Sequence, residues 1–243
     1  MFKQAVILAG GKGTRFLEQT KFMPKPMIRA KKIPLLIHII NQYKKYDIND
    51  FYILTGYKQE IINDYFLKNS NYEMQNDSFI EKDGTKVSLV DTGEETLTGG
   101  RLLIAMEKFN FENFYLTYGD GISDINLRNL TDFHIQSGKI GTITAVNPPP
   151  RFGNLEIKND MVVRMREKED TLPSWINGGF FVFNNKIKKY ITKDEPFEQE
   201  PLNQLSLDGE LSAFKHTGYW QCVDTIRELE VLESDIDSKK IIV

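Results

Sequence analysis

A glycine-rich segment near the start of the chain has the residue types that bind phosphate. The run Ala5–Leu8 is apolar, three of the four residues in Gly10–Gly13 are glycine, and Thr14 and Arg15 follow directly. Glycines permit a sharp turn that brings backbone N–H groups close to an anion. A hydroxyl and a guanidinium add donors that suit phosphate oxygens. The segment therefore predicts a phosphate-binding loop after a buried strand.

Basic residues are concentrated in the same part of the chain. Between Lys12 and Lys32 there are seven basic residues and one acidic residue, although the whole chain has a formal net charge of −3. Lys25 stands between Pro24 and Pro26, which restrict its backbone. A local excess of positive charge in a mildly acidic chain indicates a small anionic ligand and argues against nucleic-acid binding.

Two aspartates are placed where they could hold a metal ion. Asp120 lies in a tight Tyr-Gly-Asp-Gly segment after an apolar run, and Asp224 follows Gly218-Tyr-Trp ahead of a helical pattern. One or two protein carboxylates together with phosphate oxygens are the usual ligands of Mg²⁺. We therefore predict that Asp120 and Asp224 hold Mg²⁺, although either residue alone could also cap a helix.

Two other glycine-rich phosphate motifs are excluded. A dinucleotide-binding G-x-G-x-x-G would need glycine where Phe16 stands, and the second predicted strand ends in Leu54-Thr55-Gly56 without an acidic residue for a ribose hydroxyl. The P-loop pattern G-x-x-x-x-G-K-[ST] does not occur in the chain. A ligand-free strand-to-helix turn would explain the glycines alone, but not the neighbouring Arg15 and Lys25.

The elements that position these residues alternate between strand and helix patterns. This alternation predicts an α/β fold with a mixed, mostly parallel sheet of Rossmann-like type that is flanked by helices. The predicted strands of the first half are Gln4–Leu8, Asp50–Leu54, Lys86–Val90, Phe114–Thr117 and Ile140–Val146, and the predicted helices span 34–46, 59–66, 99–108 and 126–137. After Pro148-Pro149-Pro150, strands predominate and predict a small β-rich lobe. These strands span 154–157, 161–166, 176–183 and 211–216, with helices over 200–207 and 225–234.

The composition limits the class of protein further. The 243 residues are 40% hydrophobic and 27% charged, which is enough for a substantial core. Cys222 is the only cysteine, which excludes an internal disulfide and a cysteine-based zinc cluster. Apolar runs shorter than a membrane span and a start that leads directly into a strand predict a cytoplasmic protein without a membrane anchor.

The chemistry-bearing segments resemble the sugar-1-phosphate nucleotidylyltransferase family. Leu8–Arg15 together with Pro24–Met27 resembles the opening motif of that family, and Thr98–Leu102 resembles its CTP-using branch. Further segments that resemble this branch span 90–93, 117–121, 151–153, 176–181, 198–202 and 218–225. The resemblance covers nearly the whole chain and implies the nucleotide-diphospho-sugar transferase fold, with the small lobe binding the sugar.

The resemblance implies a nucleotidyl transfer reaction. The phosphate of a sugar 1-phosphate, for which the family match favours α-D-glucose 1-phosphate, attacks the α-phosphorus of CTP and gives CDP-glucose and pyrophosphate for surface polysaccharide such as O-antigen or capsule. The reaction joins two polyanions, so its main obstacles are charge repulsion and the charge on the transferring group. Catalysis should therefore depend on positioning and on cationic stabilisation.

The resemblance also implies roles for individual residues. Arg15, Lys25 and Asp120 are the implied catalytic residues, and Asp120 and Asp224 are the implied ligands of Mg²⁺, the cofactor. The implied nucleotide-binding residues are Leu8, Ala9, Gly10, Gly11, Gly13, Thr14, Arg15, Lys25, Thr98, Gly99, Arg101 and Tyr118. The implied sugar-phosphate-binding residues are Gly119, Glu167, Lys168, Asn177 and Gly178.

We expect a single domain over residues 1–243, with residues 1–147 mainly binding the nucleotide and residues 148–243 mainly binding the sugar and forming the C-terminal segment. CTP and a sugar 1-phosphate are the expected partners, without nucleic acid or membrane, and a homo-oligomer is expected. Glu169 stands where the family usually has proline after Glu-Lys, which leaves the identity of the sugar open.

Three alternatives remain open from the sequence. The same reaction could use another sugar 1-phosphate or another nucleotide, such as UTP or dTTP. A catalytically silent subunit could bind nucleotide-sugars to regulate a partner, although it would not need the full set of phosphate and metal residues. A metal-dependent glycosyltransferase should have a D-x-D motif at a sheet edge, whereas the only match, Asp235-Ile236-Asp237, lies in a polar tail after a helix.

Overall fold

The computed structural model describes residues 2–16, 20–148, 154–158, 160–166 and 175–242. The strands in these ranges are β1 (Gln4–Leu8), β2 (Arg29–Ala30), β3 (Ile33–Pro34), β4 (Asp50–Thr55), β5 (Tyr72–Gln75), β6 (Ser78–Glu81), β7 (Lys86–Asp91), β8 (Asn113–Tyr118), β9 (Gly121–Ser123), β10 (Gly141–Val146), β11 (Asn154–Lys158), β12 (Met161–Arg166), β13 (Ile176–Asn184), β14 (Leu211–His216) and β15 (Trp220–Cys222). The helices are α1 (Leu35–Lys44), α2 (Gln59–Lys68), α3 (Thr98–Lys108), α4 (Leu127–Ser137), α5 (Glu200–Leu207) and α6 (Ile226–Asp237).

Within the described residues, nine strands form one central sheet in the order β14-β10-β13-β8-β1-β4-β7-β6-β5. β1 pairs in parallel with β4 and β8, β4 with β7, and β10 with β14. β13 is antiparallel to both β8 and β10, and β6 is antiparallel to β7. The prediction of a mostly parallel, mixed sheet flanked by helices is therefore confirmed.

Alternate residues of the central strands pack into two cores on opposite faces of the sheet. On β1, Ala5 and Ile7 belong to the core that contains apolar residues of α1, α2, α4 and α6. Val6 and Leu8 belong to the other core, which contains apolar residues of α3 and α5. A strand that is covered on both faces consists of a continuous run of apolar residues. Because β1 has such a run, the strand predicted from the sequence has the same bounds as the observed one.

β13 and β14, which follow residue 147, both pair within the central sheet. The hairpin of β11 and β12 forms a separate two-stranded sheet, and Asn159 lies outside the described residues. Among the described residues no helix is both long and apolar enough to cross a bilayer.

Three small pairings were not predicted from the sequence. β5 and β6 form a hairpin at the edge of the sheet, and its two turn residues, Asn76 and Asp77, both have positive φ (46° and 62°). Asparagine and aspartate tolerate that backbone region, so the pair was a usable hairpin signal. β2 pairs with β3, and β9 pairs with β15. The β9–β15 pairing matters for function because it brings the segment that ends at Asp224 beside Asp120.

A bulge interrupts β13 at Gly178-Gly179. The register between β10 and β13 shifts opposite these glycines, and Gly179 has a φ of +78°. A Cβ at Gly179 would lie 2.6 Å from the ring of Tyr118, so glycine permits the close approach. The bulge thereby places Asn177 beside the carboxyl end of β8.

Candidate active site

A cleft of about 690 Å³ lies at the carboxyl ends of β1 and β8, where β13 begins. Open α/β sheets bind ligands at this edge, outside the carboxyl ends of the strands. Most of the predicted site residues line the cleft, namely Leu8, Ala9, Gly10, Gly11, Gly13, Lys25, Thr98, Arg101, Tyr118, Gly119, Asp120, Asn177, Gly178 and Asp224. The sheet thus brings together residues that are up to 216 positions apart in the chain, as between Leu8 and Asp224.

The glycine loop forms one wall of this cleft. Ala9 donates its backbone N–H to Leu54, and Gly10 accepts one from Tyr57, so the loop is fixed to β4 and to the turn that follows. Gly11 is exposed, and a Cβ at this position would meet no heavy atom within 4 Å, which leaves its backbone accessible to a ligand. The loop therefore has the form expected for binding phosphate oxygens.

Arg101 ties the glycine loop to the neighbouring strands. The residue is only 2% exposed. Its guanidinium donates to the carbonyl oxygens of Gly10 (2.9 Å), Thr55 (3.0 Å) and Gly93 (2.7 Å), and to Oγ1 of Thr92 (2.6 Å). These bonds are made within the protein, so Arg101 positions the loop. Direct contact between Arg101 and the nucleotide, which the resemblance implies, stays a prediction.

We expect Arg101→Ala to lower the free energy of unfolding by about 2–4 kcal/mol, because several buried carbonyl groups lose their donor. The KM for the nucleotide should also rise in this variant, because the glycine loop loses its hydrogen bond to the Arg101 guanidinium. Urea denaturation measures the first effect. Arg128→Ala on the exposed side of α4 is the control and should change stability by less than about 0.5 kcal/mol. Equal losses in the two variants would contradict the positioning role.

Lys25, Asp120 and Asp224 form a charged cluster on the floor of the cleft. The Lys25 Nζ donates to Oδ2 of Asp120 at 2.5 Å and to Oδ1 of Asp224 at 2.6 Å. The lysine side chain is 9% exposed, against 22% and 12% for the two aspartates. Burial opposes the charged lysine, but the carboxylates, Asp120 first, outweigh it and raise the pKa of Lys25 above its usual value. Lys25 is therefore a cation throughout the physiological pH range.

The donor set at this cluster fits a divalent cation. Asp120, Cys222 and Asp224 each offer one ligand atom, and these three atoms lie within 4.8 Å of one another. Two carboxylates suit the oxygen preference of Mg²⁺. Burial and then the charge of Asp120 raise the pKa of the Cys222 thiol, so the protonated thiol is a poor ligand for a hard ion. Asp120 and Asp224 are the residues that would hold the metal.

A second polar network also lines the cleft. The hydroxyls of Thr98 and Tyr118 each donate to one carboxylate oxygen of Glu198 at 2.7 Å. Burial and the Glu198 charge raise the pKa of Tyr118, which keeps its hydroxyl protonated as a donor. Asn177 Nδ2 lies 3.5 Å from the same hydroxyl. Trp220 donates its indole N–H to the carbonyl of Gly178 at 2.8 Å and fixes the neighbouring strand.

Some predicted residues lie beside the cleft or outside the described part of the chain. Thr14 is exposed and follows Gly13, which lines the cleft. The side chain of Arg15 lies outside the described part of the structure. Gly99 is buried, and a Cβ there would lie 2.5 Å from the Glu195 carbonyl oxygen, so it permits close packing. Glu167 and Lys168 lie outside the described residues. The contacts of Thr14, Arg15 and Gly99 with the nucleotide therefore remain predictions. The same holds for the contacts of Glu167 and Lys168 with the sugar phosphate.

Several lining residues were not named as site residues from the sequence, including Thr96, Leu97, Pro196, Glu198, Trp220 and Cys222. A signal existed for Glu198 and Trp220, because both lie in segments that resemble the family. Their proximity to the cleft depends on contacts between distant parts of the chain, which the motif alone does not reveal.

Comparison with known proteins identifies the family of this chain. The profile described as nucleotidyl transferase matches residues 4–238. The chain therefore belongs to the nucleotidyl transferase family, whose members generally use a divalent metal.

Within that family the chain is similar to curated cytidylyltransferases. It is 42% identical over 245 residues to the glucose-1-phosphate cytidylyltransferase of Salmonella typhimurium, with 95% of this chain and 94% of that protein covered. The same figures hold for the glucose-1-phosphate cytidylyltransferase of Salmonella typhi. The crystal structure of HddC from Yersinia pseudotuberculosis superposes with a TM-score of 0.74 at 23% identity, over 97% of this chain and 100% of that one. At that identity the structural match shows a shared fold.

Proposed function

We propose that this protein transfers a cytidylyl group from CTP to α-D-glucose 1-phosphate and releases pyrophosphate. The observation that carries the proposal is the convergence of Lys25, Asp120 and Asp224 in the same cleft as the glycine loop. This arrangement pairs an anion-binding loop with a buried cation and two metal-binding carboxylates. Identity of 42% to a glucose-1-phosphate cytidylyltransferase supports CTP and glucose 1-phosphate as the substrates.

The residues of the chain account for the steps of this reaction. An oxygen of the sugar phosphate forms a bond to the α-phosphorus of CTP, and the bond from that phosphorus to the bridging oxygen of the β-phosphate breaks. The N–H groups of the glycine loop and Arg15 hold the triphosphate tail, which leaves as pyrophosphate. Lys25 places a positive charge beside the reacting phosphates, where negative charge must be stabilised.

A divalent cation, for which we propose Mg²⁺, would be held by Asp120 and Asp224 and would neutralise charge on the phosphate oxygens. Asn177 and Gly178 lie near the start of β13 and line the cleft beside Tyr118, which supports the proposal that they contact the sugar. Glu167 and Lys168 are proposed to complete the sugar-phosphate site. Exposed apolar side chains on β12 (Met161, Val162 and Val163) support the proposal that the protein is a homo-oligomer. We also propose that it acts in the cytoplasm.

The direct test is a matrix of initial rates of pyrophosphate release. CTP, UTP, dTTP and GTP are each paired with glucose 1-phosphate, mannose 1-phosphate and N-acetylglucosamine 1-phosphate in the presence of Mg²⁺. We expect kcat/KM for CTP with glucose 1-phosphate to exceed that of every other pair by at least about 10²-fold, since hydrogen-bonding sites reject analogues strongly. Equal rates with several nucleotides would contradict the base assignment. Nucleotide binding without turnover would favour the silent regulatory subunit.

A further inference from the structure

Glu198 is a carboxylate in a cleft that must accept two polyanions, and the proposed reaction gives it no role. It lines the cleft and is exposed to it. A carboxylate repels phosphate, so its presence there is unfavourable unless the ligand offers hydrogen-bond donors at this point. Most hydrogen-bond donors of a sugar-nucleotide substrate are hydroxyl groups.

The protein holds this carboxylate in one orientation. Thr98 donates to Oε2 and Tyr118 donates to Oε1, both at 2.7 Å. The Thr98 hydroxyl is itself fixed, because it accepts the backbone N–H of Phe197 at 2.8 Å. Phe197, the residue before Glu198, is fully buried and belongs to the second core. Glu198 is therefore a preorganised group rather than a freely moving surface side chain.

The network leaves Glu198 with capacity for further donors. The amide of Asn177 donates to the hydroxyl of Tyr118, which donates in turn to Glu198, so this chain of hydrogen bonds ends at the carboxylate. A carboxylate has about four acceptor positions and donates none. The hydrogen bonds from Thr98 and Tyr118 use two of these positions. At least one donor from a ligand can therefore be accepted without breaking the network.

The location of Glu198 favours the sugar over the base. Its partner Tyr118 ends β8, two residues before Asp120, and contacts Asn177 at the start of β13. β8 and β13 lie on one side of β1, whereas Arg101 packs under the glycine loop on the β4 and β7 side. Asn177, which we propose contacts the sugar, belongs to the same hydrogen-bond network as Glu198, so a sugar bound at Asn177 would lie near this carboxylate.

We propose that Glu198 is a specificity-determining residue that accepts hydrogen bonds from hydroxyl groups of the acceptor hexose. This inference rests on the proposed function. It goes beyond that function because it assigns to Glu198 the contact by which glucose 1-phosphate is distinguished from its deoxy analogues. Tyr118 and Thr98 act through Glu198 as positioning residues.

The test compares Glu198→Gln with the wild-type protein and with Glu200→Gln, an exposed neighbour outside the cleft lining. Affinities for CDP and CDP-glucose are measured by calorimetry, so that the contribution of the glucose is the ratio of the two. We expect Glu198→Gln to reduce that ratio about 10- to 100-fold, the effect of losing a hydrogen bond to a charged group, while the CDP affinity changes less than about twofold. Glu200→Gln should behave as wild type.

A kinetic arm uses the 2-, 3-, 4- and 6-deoxy analogues of glucose 1-phosphate. The wild-type protein should discriminate against at least one analogue, and Glu198→Gln should lose that discrimination through a raised KM for glucose 1-phosphate. A fall in CDP affinity equal to that in CDP-glucose affinity would overturn the sugar assignment and indicate a contact with the nucleotide. Unchanged discrimination would also overturn it. A wild-type protein that turns over CTP with neither glucose 1-phosphate nor its analogues would instead contradict the proposed function.

Discussion

Replacing Lys25 with alanine is expected to lower kcat for pyrophosphate release by about 10²–10³-fold, the effect typical of removing one preorganised electrostatic group. Lys25 is the cation at the point where Asp120 and Asp224 converge, 2.5 and 2.6 Å from their oxygens. Without it, negative charge on the transferring phosphoryl group lacks a buried counter-charge. The KM for glucose 1-phosphate should change much less than kcat, because the interaction is strongest in the transition state.

Lys21→Ala is the matched control, since Lys21 is an exposed lysine of the same basic segment. It should retain near wild-type kcat. Thermal unfolding in the presence of Mg²⁺ checks that Lys25→Ala is folded. A Lys25→Ala protein with kcat within about twofold of wild type, a change of only about 0.4 kcal/mol, would remove Lys25 from the catalytic set.

The second large effect is expected from Asp120→Asn. The substitution preserves size but removes one of the two carboxylates that would hold the metal. We expect kcat to fall about 10³-fold, since metal ions supply several kcal/mol of transition-state stabilisation. The concentration of Mg²⁺ that gives half-maximal rate should rise at the same time, which a titration of Mg²⁺ against initial rate measures.

Asp132→Asn on the exposed face of α4 is the control, because it removes the same charge far from the cleft. Direct binding of Mn²⁺, followed by its electron paramagnetic resonance signal, separates metal loss from other causes of inactivity. If Asp120→Asn bound Mn²⁺ as tightly as the wild-type protein, Asp120 would not be a metal ligand.

The sequence predicts a site residue best where its position follows directly from the strand that precedes it in the chain. The glycine loop follows a buried strand, and Asp120 follows another, so a parallel sheet places both at the same edge. The strand and helix bounds are predicted closely because the central strands are continuous apolar runs and the helices have apolar periodicity. The fold, and the gathering of the glycine loop and Asp120 in one cleft, could therefore be predicted.

Contacts between distant parts of the chain could not be predicted. Lys25 and Asp224 are 199 residues apart, and their ion pair depends on the short β9–β15 pairing, which has little sequence signal. The sequence likewise gives no direction for the Arg101 side chain, which turns inward to the loop carbonyls. Glu198 lines the cleft, where Thr98 and Tyr118 hold its carboxylate while the preceding Phe197 is buried in the core. In each case tertiary packing decides which way a charged side chain faces.

The most direct measurement follows the α-phosphorus of the nucleotide. CTP labelled with ³²P at the α-position is incubated with glucose 1-phosphate, Mg²⁺ and the wild-type protein, and the products are separated by ion-exchange chromatography. We expect the label to appear in CDP-glucose, with one unlabelled pyrophosphate released for each labelled product, and Lys25→Ala and Asp120→Asn to form little of it. Label that remains in CTP, or that appears in CMP without a sugar nucleotide, would contradict cytidylyl transfer.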